Sequence, residues 1–306
     1  MIEEISSYLE KLNNILEKYK IKVVAKMEFQ DNCSLLLQNE DYQDLIVRIE
    51  FSEGSCNLKC DNNSSEIYQK ILPEVLKMEG KFHADYNSCL GTDESGKGDY
   101  FGPLVIAGFI SDNDVNVELA ALGVKDSKKL TDNEVITLSE KIKEKFYDRY
   151  SILSLEPKKY NEMYSLFKLE GKNMNHLLSW GHLHVIETLL NKETKVDSLI
   201  IDRFGKLNYV DDISRKYEGI NIINEPHSEN EMAVAAASII ARGTFLKWLN
   251  EKSKETSIKL YKGADTLVHE SALEIIGKYG IESLIKYVKI HFKTTQIVIE
   301  RYKNEK

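Results

Sequence analysis

Cysteine is scarce in this chain. Four cysteines in 306 residues, Cys33, Cys56, Cys60 and Cys89, are too few for a disulfide framework. Reduced thiols of a cytosolic protein fit better. Cys56-x3-Cys60 lacks the second pair that a structural metal site needs. Two cysteines on a half-buried strand is the simpler reading. No stretch approaches the ~20 apolar residues of a membrane span. Residues 1–20 carry Glu3, Glu4, Glu10 and Glu17 without a long apolar run, so no export signal is expected. These absences lead to the expectation of a cytoplasmic protein that engages no membrane. Internal repeats and low-complexity segments are absent as well. Nor is there an excess of positive charge: the formal charge is −8 and the pI about 5.5, against a generally adhesive nucleic-acid binder. Net charge still leaves room for a local basic groove beside an acidic centre. Hydrophobic residues, at 42%, are enough to build a core and exclude global disorder. The length favours two domains.

Apolar spacing at Ile2, Ile5, Leu9, Leu12 and Leu16 predicts a helix over 2–19. Strands are expected at Lys22–Phe29, Cys33–Gln38 and Asp44–Phe51, with a fourth at Ser55–Cys60. A helix from Ser65 to about Glu79, interrupted at Pro73, completes an α+β unit over 1–80. Residues 81–88 read as a linker. From 89 to 306 the pattern changes to strands alternating with helices, which predicts an α/β sheet covered on both faces. Expected strands are Leu90–Asp93, Pro103–Ile110, Tyr150–Leu155, Val196–Ile201 and Ile220–Ile223. Expected helices include one capped by Thr131 with Glu134, and others over Asn173–Asn191, Ala233–Asn250, Thr266–Tyr279 and Ile281–Tyr287.

Carboxylates close two of the apolar strands. Asp93 and Glu94 end one, and Asp202 ends Ser198-Leu199-Ile200-Ile201. Open α/β sheets bind ligands at the carboxyl ends of their strands. If the two strands are neighbours, the acids converge and repel unless a cation or proton is shared. Magnesium suits such hard oxygen ligands, and two ions can activate water and stabilise a leaving oxygen in phosphodiester cleavage. Asp202 alone reads equally well as the start of a turn. After Glu94 comes a turn with Gly96, Gly98 and Gly102, which permits close approach to a ligand. Lys97 between two of these glycines is placed to meet a phosphate. Backbone groups there are placed to touch a 2′-hydroxyl. An ordinary hairpin turn is the alternative.

Five segments in order resemble the ribonuclease HII/HIII family, and ribonuclease HIII within it. They are Asp93-Glu94-Ser95-Gly96-Lys97-Gly98-Asp99-Tyr100-Phe101-Gly102-Pro103-Leu104, Gly123-Val124-Lys125-Asp126-Ser127-Lys128-Lys129-Leu130, Asn173-Met174-Asn175-His176-Leu177-Leu178-Ser179-Trp180-Gly181-His182, Ile201-Asp202-Arg203-Phe204, and Ala233-Val234-Ala235-Ala236-Ala237-Ser238-Ile239-Ile240-Ala241-Arg242. The similarity spans roughly residues 85–300. It implies an α/β ribonuclease H-like catalytic domain preceded by a small α+β substrate-binding domain similar to half of a TATA-binding protein. It implies an endonuclease that cuts the RNA strand of RNA/DNA hybrids and leaves a 3′-hydroxyl and a 5′-phosphate. It further implies Mg2+ or Mn2+, two ions, held by Asp93, Glu94 and Asp202. Ser95, Gly96, Lys97, Gly98, Ser127, Lys128, Asn173 and Asn175 become candidate substrate contacts. No obligatory protein partner is evident.

The chain departs from the family at the fourth acid. Counting back from Ser238 puts Ser228 where a carboxylate belongs, and the nearest acids are Glu229 and Glu231. Glu229 is the choice here, with a one-residue shift in the loop. The departure keeps a non-catalytic hybrid-binding protein in view as an alternative. Ribonuclease HII-type nicking at single ribonucleotides in DNA is the other. Asn173 and Asn175 also read as helix-capping residues. His176, His182 and His184 lack the i, i+4 spacing of a helical metal site. Arg242 and Lys262 are candidates to approach phosphates, and Trp180 and Trp248 fit helix cores. His291-Phe292-Lys293-Thr294-Thr295 reads either as a threonine near the substrate or as a solvated strand end.

Overall fold

The computed structural model describes residues 2–304 apart from 30, 53–54, 61, 63–64, 80–87, 125–129, 193–194, 203–215, 218 and 226–230. For residues 52, 201, 202, 224 and 225 it describes the backbone alone. The chain divides into two compact units, Met1–Asn87 with Asp112–Gly123, and Ser88–Ser111 with Val124–Lys306.

In the first unit, α1 (Ile2–Lys18) precedes four antiparallel strands in the order β1-β2-β3-β4: Lys22–Glu28, Asn32–Gln38, Asp44–Ser52 and Ser55–Cys60. The period of two sends Cys33, Leu35, Leu37, Leu45, Val47 and Ile49 to one buried face. β1 is exposed along its whole length, as befits an edge strand. α2 (Glu66–Met78) runs through Pro73, which does not interrupt it as expected. The proline removes one backbone donor, but burial of Ile67, Ile71, Leu72, Val75 and Leu76 holds the turns on either side. The four cysteines are free thiols; Cys56 and Cys60 are half-buried on β4. α3 (Asn113–Ala121), unforeseen in the sequence, also belongs to this unit and is capped by Asp112.

The second unit is built on a five-stranded sheet in the order β7-β6-β5-β8-β9. These strands are β5 (Ser88–Ser95), β6 (Leu104–Asp112), β7 (Tyr150–Leu155), β8 (Ser198–Asp202) and β9 (Asn221–Glu225). β5 and β8 are parallel, as are β8 and β9, while β6 and β7 are antiparallel. Helices α4 (Asp132–Lys145), α5 (Pro157–Leu169), α6 (Met174–Leu190), α7 (Met232–Thr256), α8 (Thr266–Tyr279) and α9 (Lys293–Asn304) surround it. Thr131 and Glu134 form the expected capping box at the start of α4. Ile281–Lys286 is a 3-10 helix rather than an α-helix. α5 and α9 were not foreseen.

Two helices grip β5 from opposite sides. Leu90 joins the α6-facing core with Leu177, Leu178, Val185, Ile186 and Leu189. Gly91 faces α7 so closely that an added Cβ would lie 2.4 Å from the Val234 nitrogen. α7 has the length and hydropathy of a membrane-crossing helix, contrary to the expectation that no stretch comes near one. Within this unit 78% of its most apolar window is buried, so the apolar surface is spent on the core.

Candidate active site

Strand alternation decides where the first acids point. Thr92 and Glu94 fall on the α6 side of β5, whereas Asp93 falls with Gly91 on the α7 side. Asp93 meets Ser238 of α7, whose side chain hydrogen-bonds to it, and one Asp93 oxygen accepts from the Glu94 backbone N–H at 2.8 Å. Burial, reinforced by the neighbouring Glu94 charge, raises the Asp93 pKa from 3.8 to about 7 despite those bonds. Burial also works to raise Glu94. It is outweighed there by a hydrogen bond from His182 and by Lys97, which hold that carboxyl below the usual glutamate value.

The parallel register places Asp202 beside this pair. Thr92 pairs with Ile201, so Asp93 and Asp202 are the next residues at the carboxyl ends of adjacent strands. Across the sheet Asp202 is in register with Glu225, the last residue of β9, which sequence reasoning had passed over. The apolar pair Ile222-Ile223 followed two residues later by an acid was the only hint the sequence offered. The preferred fourth acid, Glu229, and the family-aligned Ser228 both lie outside the described residues, as do Ser127 and Lys128. Glu231 is the N-cap of α7. Among the described residues no three potential ligands gather; the side chain of Asp202 is not among them. The donor set nevertheless suits a hard divalent cation: two adjoining carboxylates, one holding its proton to near neutrality, gain stability when a cation replaces that proton.

The turn after Glu94 is rigidly held. Gly96 and Gly102 have φ of 86° and 85°, and an added Cβ on Gly96 would sit 2.1 Å from the Pro103 carbonyl oxygen. Gly98, expected to share this constraint, has open space around it and no positive φ. Lys97 Nζ lies 3.6 Å from Glu94 Oε1, and Ser95 ends β5 beside it. Downstream, buried Lys289 donates to the carbonyls of Asp99 at 2.9 Å and Gly102 at 2.7 Å. Its ammonium is pushed down to about 7 by burial, while Asp99 pulls the other way. Asp99 accepts from the Gly263 N–H at 2.6 Å, and the Tyr100 hydroxyl lies 3.2 Å from Thr295 Oγ1. Thr295 is therefore in the first turns of α9, tied to the glycine turn, and not at a strand end.

Other candidates sort differently. Asn173 caps α6, accepting from the Asn175 N–H at 3.0 Å, and both residues are exposed. Arg242 and Lys262 converge on Asp132, at 2.8 Å and 2.6 Å. Trp248 is a core residue, but Trp180 is 37% exposed and stacks on His184, contrary to the expectation of burial. His182, set aside as a metal ligand, lies against Glu94 and was the residue the sequence concealed.

Comparison with known proteins agrees with this architecture. A family model described as Ribonuclease HII matches residues 90–295. The ribonuclease HIII of Protochlamydia amoebophila is 40% identical over 74% of this chain and 75% of its own length. Ribonuclease H3 of Aquifex aeolicus is 26% identical, with a TM-score of 0.53 over 94% of this chain and 97% of that one. The crystal structure of Bst-RNase HIII in complex with Mn2+ shares the fold, with a TM-score of 0.63 at 24% identity over 96% of this chain and 97% of its own. The model spans most of the chain and includes the strand ends that carry Asp93, Glu94 and Asp202, and with these relatives it establishes that the chain belongs to the ribonuclease HII/HIII family.

Proposed function

We propose that the second unit cleaves the RNA strand of RNA/DNA hybrids by metal-assisted hydrolysis, leaving a 3′-hydroxyl and a 5′-phosphate. The chain is a ribonuclease H-type hydrolase by family. The observation that carries the mechanism is the meeting of Asp93 and Glu94 with the backbone position of Asp202 at adjacent strand ends. Asp93, Glu94 and Asp202 would hold Mg2+ or Mn2+, as two ions, with Glu229, Glu231 or Glu225 as the fourth acid. When bound, such ions stabilise charge on the phosphoryl oxygens and make water a better nucleophile near neutral pH. Asp93 would hold such an ion in its deprotonated form, since a carboxylate must be deprotonated to bind a metal. Glu94 is held on both oxygens, by His182 and Lys97, so its lone pairs are presented in a fixed direction. Lys97 sits at the mouth of the turn, where it offsets phosphate charge.

The exposed backbone at Gly98 gives a sugar room to approach, which suits recognition of the 2′-hydroxyl. Ser127, Lys128, Asn173 and Asn175 are proposed as further substrate contacts. Residues 1–80 are proposed as the substrate-binding domain similar to half of a TATA-binding protein, and the cytoplasm as the site of action. Asp202→Asn is expected to abolish cleavage of a long hybrid with Mg2+ or Mn2+ while hybrid binding persists; cleavage at the wild-type rate would reject the assignment. A duplex with one embedded ribonucleotide separates the two branches of the family. Poor cutting of it relative to a long hybrid is expected of the ribonuclease HIII branch.

A further inference from the structure

His182 is 1% exposed in the middle of α6, a place where an aliphatic side chain would pack without cost. Both of its ring nitrogens have partners on β5. Nδ1 is 2.9 Å from Thr92 Oγ1, and Nε2 is 3.2 Å from Glu94 Oε2. Thr92 and Glu94 are two apart on one strand and so share a face, and a single imidazole spans them. A carboxylate only accepts, so Nε2 carries the proton in this pair and donates it to Glu94. The other oxygen, Oε1, faces Lys97 at 3.6 Å. Thr92 is completely buried, so its hydroxyl fixes the ring without competition from water.

We propose that His182 is a positioning residue for Glu94, with Thr92 holding the ring, and that this relay sets the direction in which Glu94 offers its oxygens to a divalent cation. The inference rests on the metal-dependent reading given above. It goes beyond it by assigning a role behind the carboxylate to a side chain that touches neither substrate nor cation. Carboxylates that ligate metals are themselves hydrogen-bonded, and loss of such a partner costs about 10- to 100-fold in metal affinity.

The test compares His182→Gln with His182→Asn. The glutamine amide reaches the position of Nε2, whereas the asparagine amide reaches only that of Nδ1. Mn2+ binding to the folded, substrate-free protein is measured by calorimetry for both variants and the wild type, with circular dichroism as the fold control. His182→Asn is expected to lose ~10- to 100-fold in Mn2+ affinity, and His182→Gln to stay within roughly threefold of wild type. Equal losses in the two variants, or no loss in His182→Asn, would overturn the proposal. If His182→Asn does not fold, Thr92→Val provides the second reading: a smaller loss of Mn2+ affinity is expected, and unchanged affinity overturns the relay. Hybrid cleavage by the wild type tests the catalytic reading separately, since Mn2+ affinity is read here without any substrate.

Discussion

Asp93 retains its proton up to about pH 7 in the folded chain, against 3.8 for an ordinary aspartate. Because the folded value is the higher one, the folded state binds more protons between them. Stability from this group is complete below about 3.8 and is lost as the pH rises to about 7. Metal-free Asp93→Asn protein should therefore be more stable than wild type at pH 8, by up to a few kcal/mol since one pKa unit is worth about 1.4 kcal/mol, and should melt at a higher temperature. Identical melting would contradict the burial argument. The same proton makes Mn2+ affinity fall as the pH drops below about 7, measurable by calorimetry across pH 5.5 to 8. Asp93, Glu94 and Asp202 were legible in the sequence because acids ending apolar runs stand out. His182 was not, because its partners lie 90 and 88 residues away and the meeting depends on how α6 packs on β5. Glu225 was hidden for a related reason: only strand register sets it level with Asp202.

Among the elements, the glycine turn and the segment around Lys289 behave as one. Lys289→Met would leave the carbonyls of Asp99, Phe101 and Gly102 without this donor, a loss of roughly 1 kcal/mol per bond that is partly offset near pH 7 by removal of the buried ammonium, so a net cost below about 2 kcal/mol is expected there. Urea denaturation measures it, and an unchanged midpoint would show that the turn stands without this clamp. Gly96→Ala and Gly98→Ala should part company. The first meets the Pro103 carbonyl and forces a side chain to φ of 86°, so it destabilises strongly. The second should leave stability within about 0.5 kcal/mol while slowing hybrid cleavage, if the open space at Gly98 is where the sugar backbone passes. The strands of the sheet and most of the helices around it were readable from periodicity and caps, the Thr131 and Glu134 capping box of α4 most directly. α3, α5 and α9 were missed although they carry apolar residues, because few of those residues are drawn into the core to mark one face: α5 buries only Pro157, Tyr160 and Asn161, and α9 only Thr294 and Val298. Pro73 misled in the other direction, since tertiary burial outweighs one missing backbone hydrogen bond.

For the whole molecule, a formal charge of −8 does not rule out a nucleic-acid substrate, because net charge does not fix how charge is distributed over the surface. Acids gather at the strand ends, and cations such as Lys97, Arg242 and Lys262 stand near acidic partners at the surface. Raising salt is expected to weaken hybrid binding progressively, with a log–log slope that reports the number of phosphates contacted. Helix α7 shows why composition alone does not locate a chain: by hydropathy it resembles a membrane span, yet its alanines let β5 approach within backbone contact at Gly91. Asp93, Glu94 and Asp202 are proposed to act together as one metal-dependent hydrolytic site. The direct measurement is cleavage of a long RNA/DNA hybrid by the full chain with Mg2+, with Mn2+ and with EDTA, alongside Asp202→Asn. Internal cuts in the RNA strand with 5′-phosphate ends, present only with a divalent ion and absent in Asp202→Asn, are the predicted result. A wild-type protein that binds the hybrid but cuts it with neither ion would show that these acids are not a hydrolytic site.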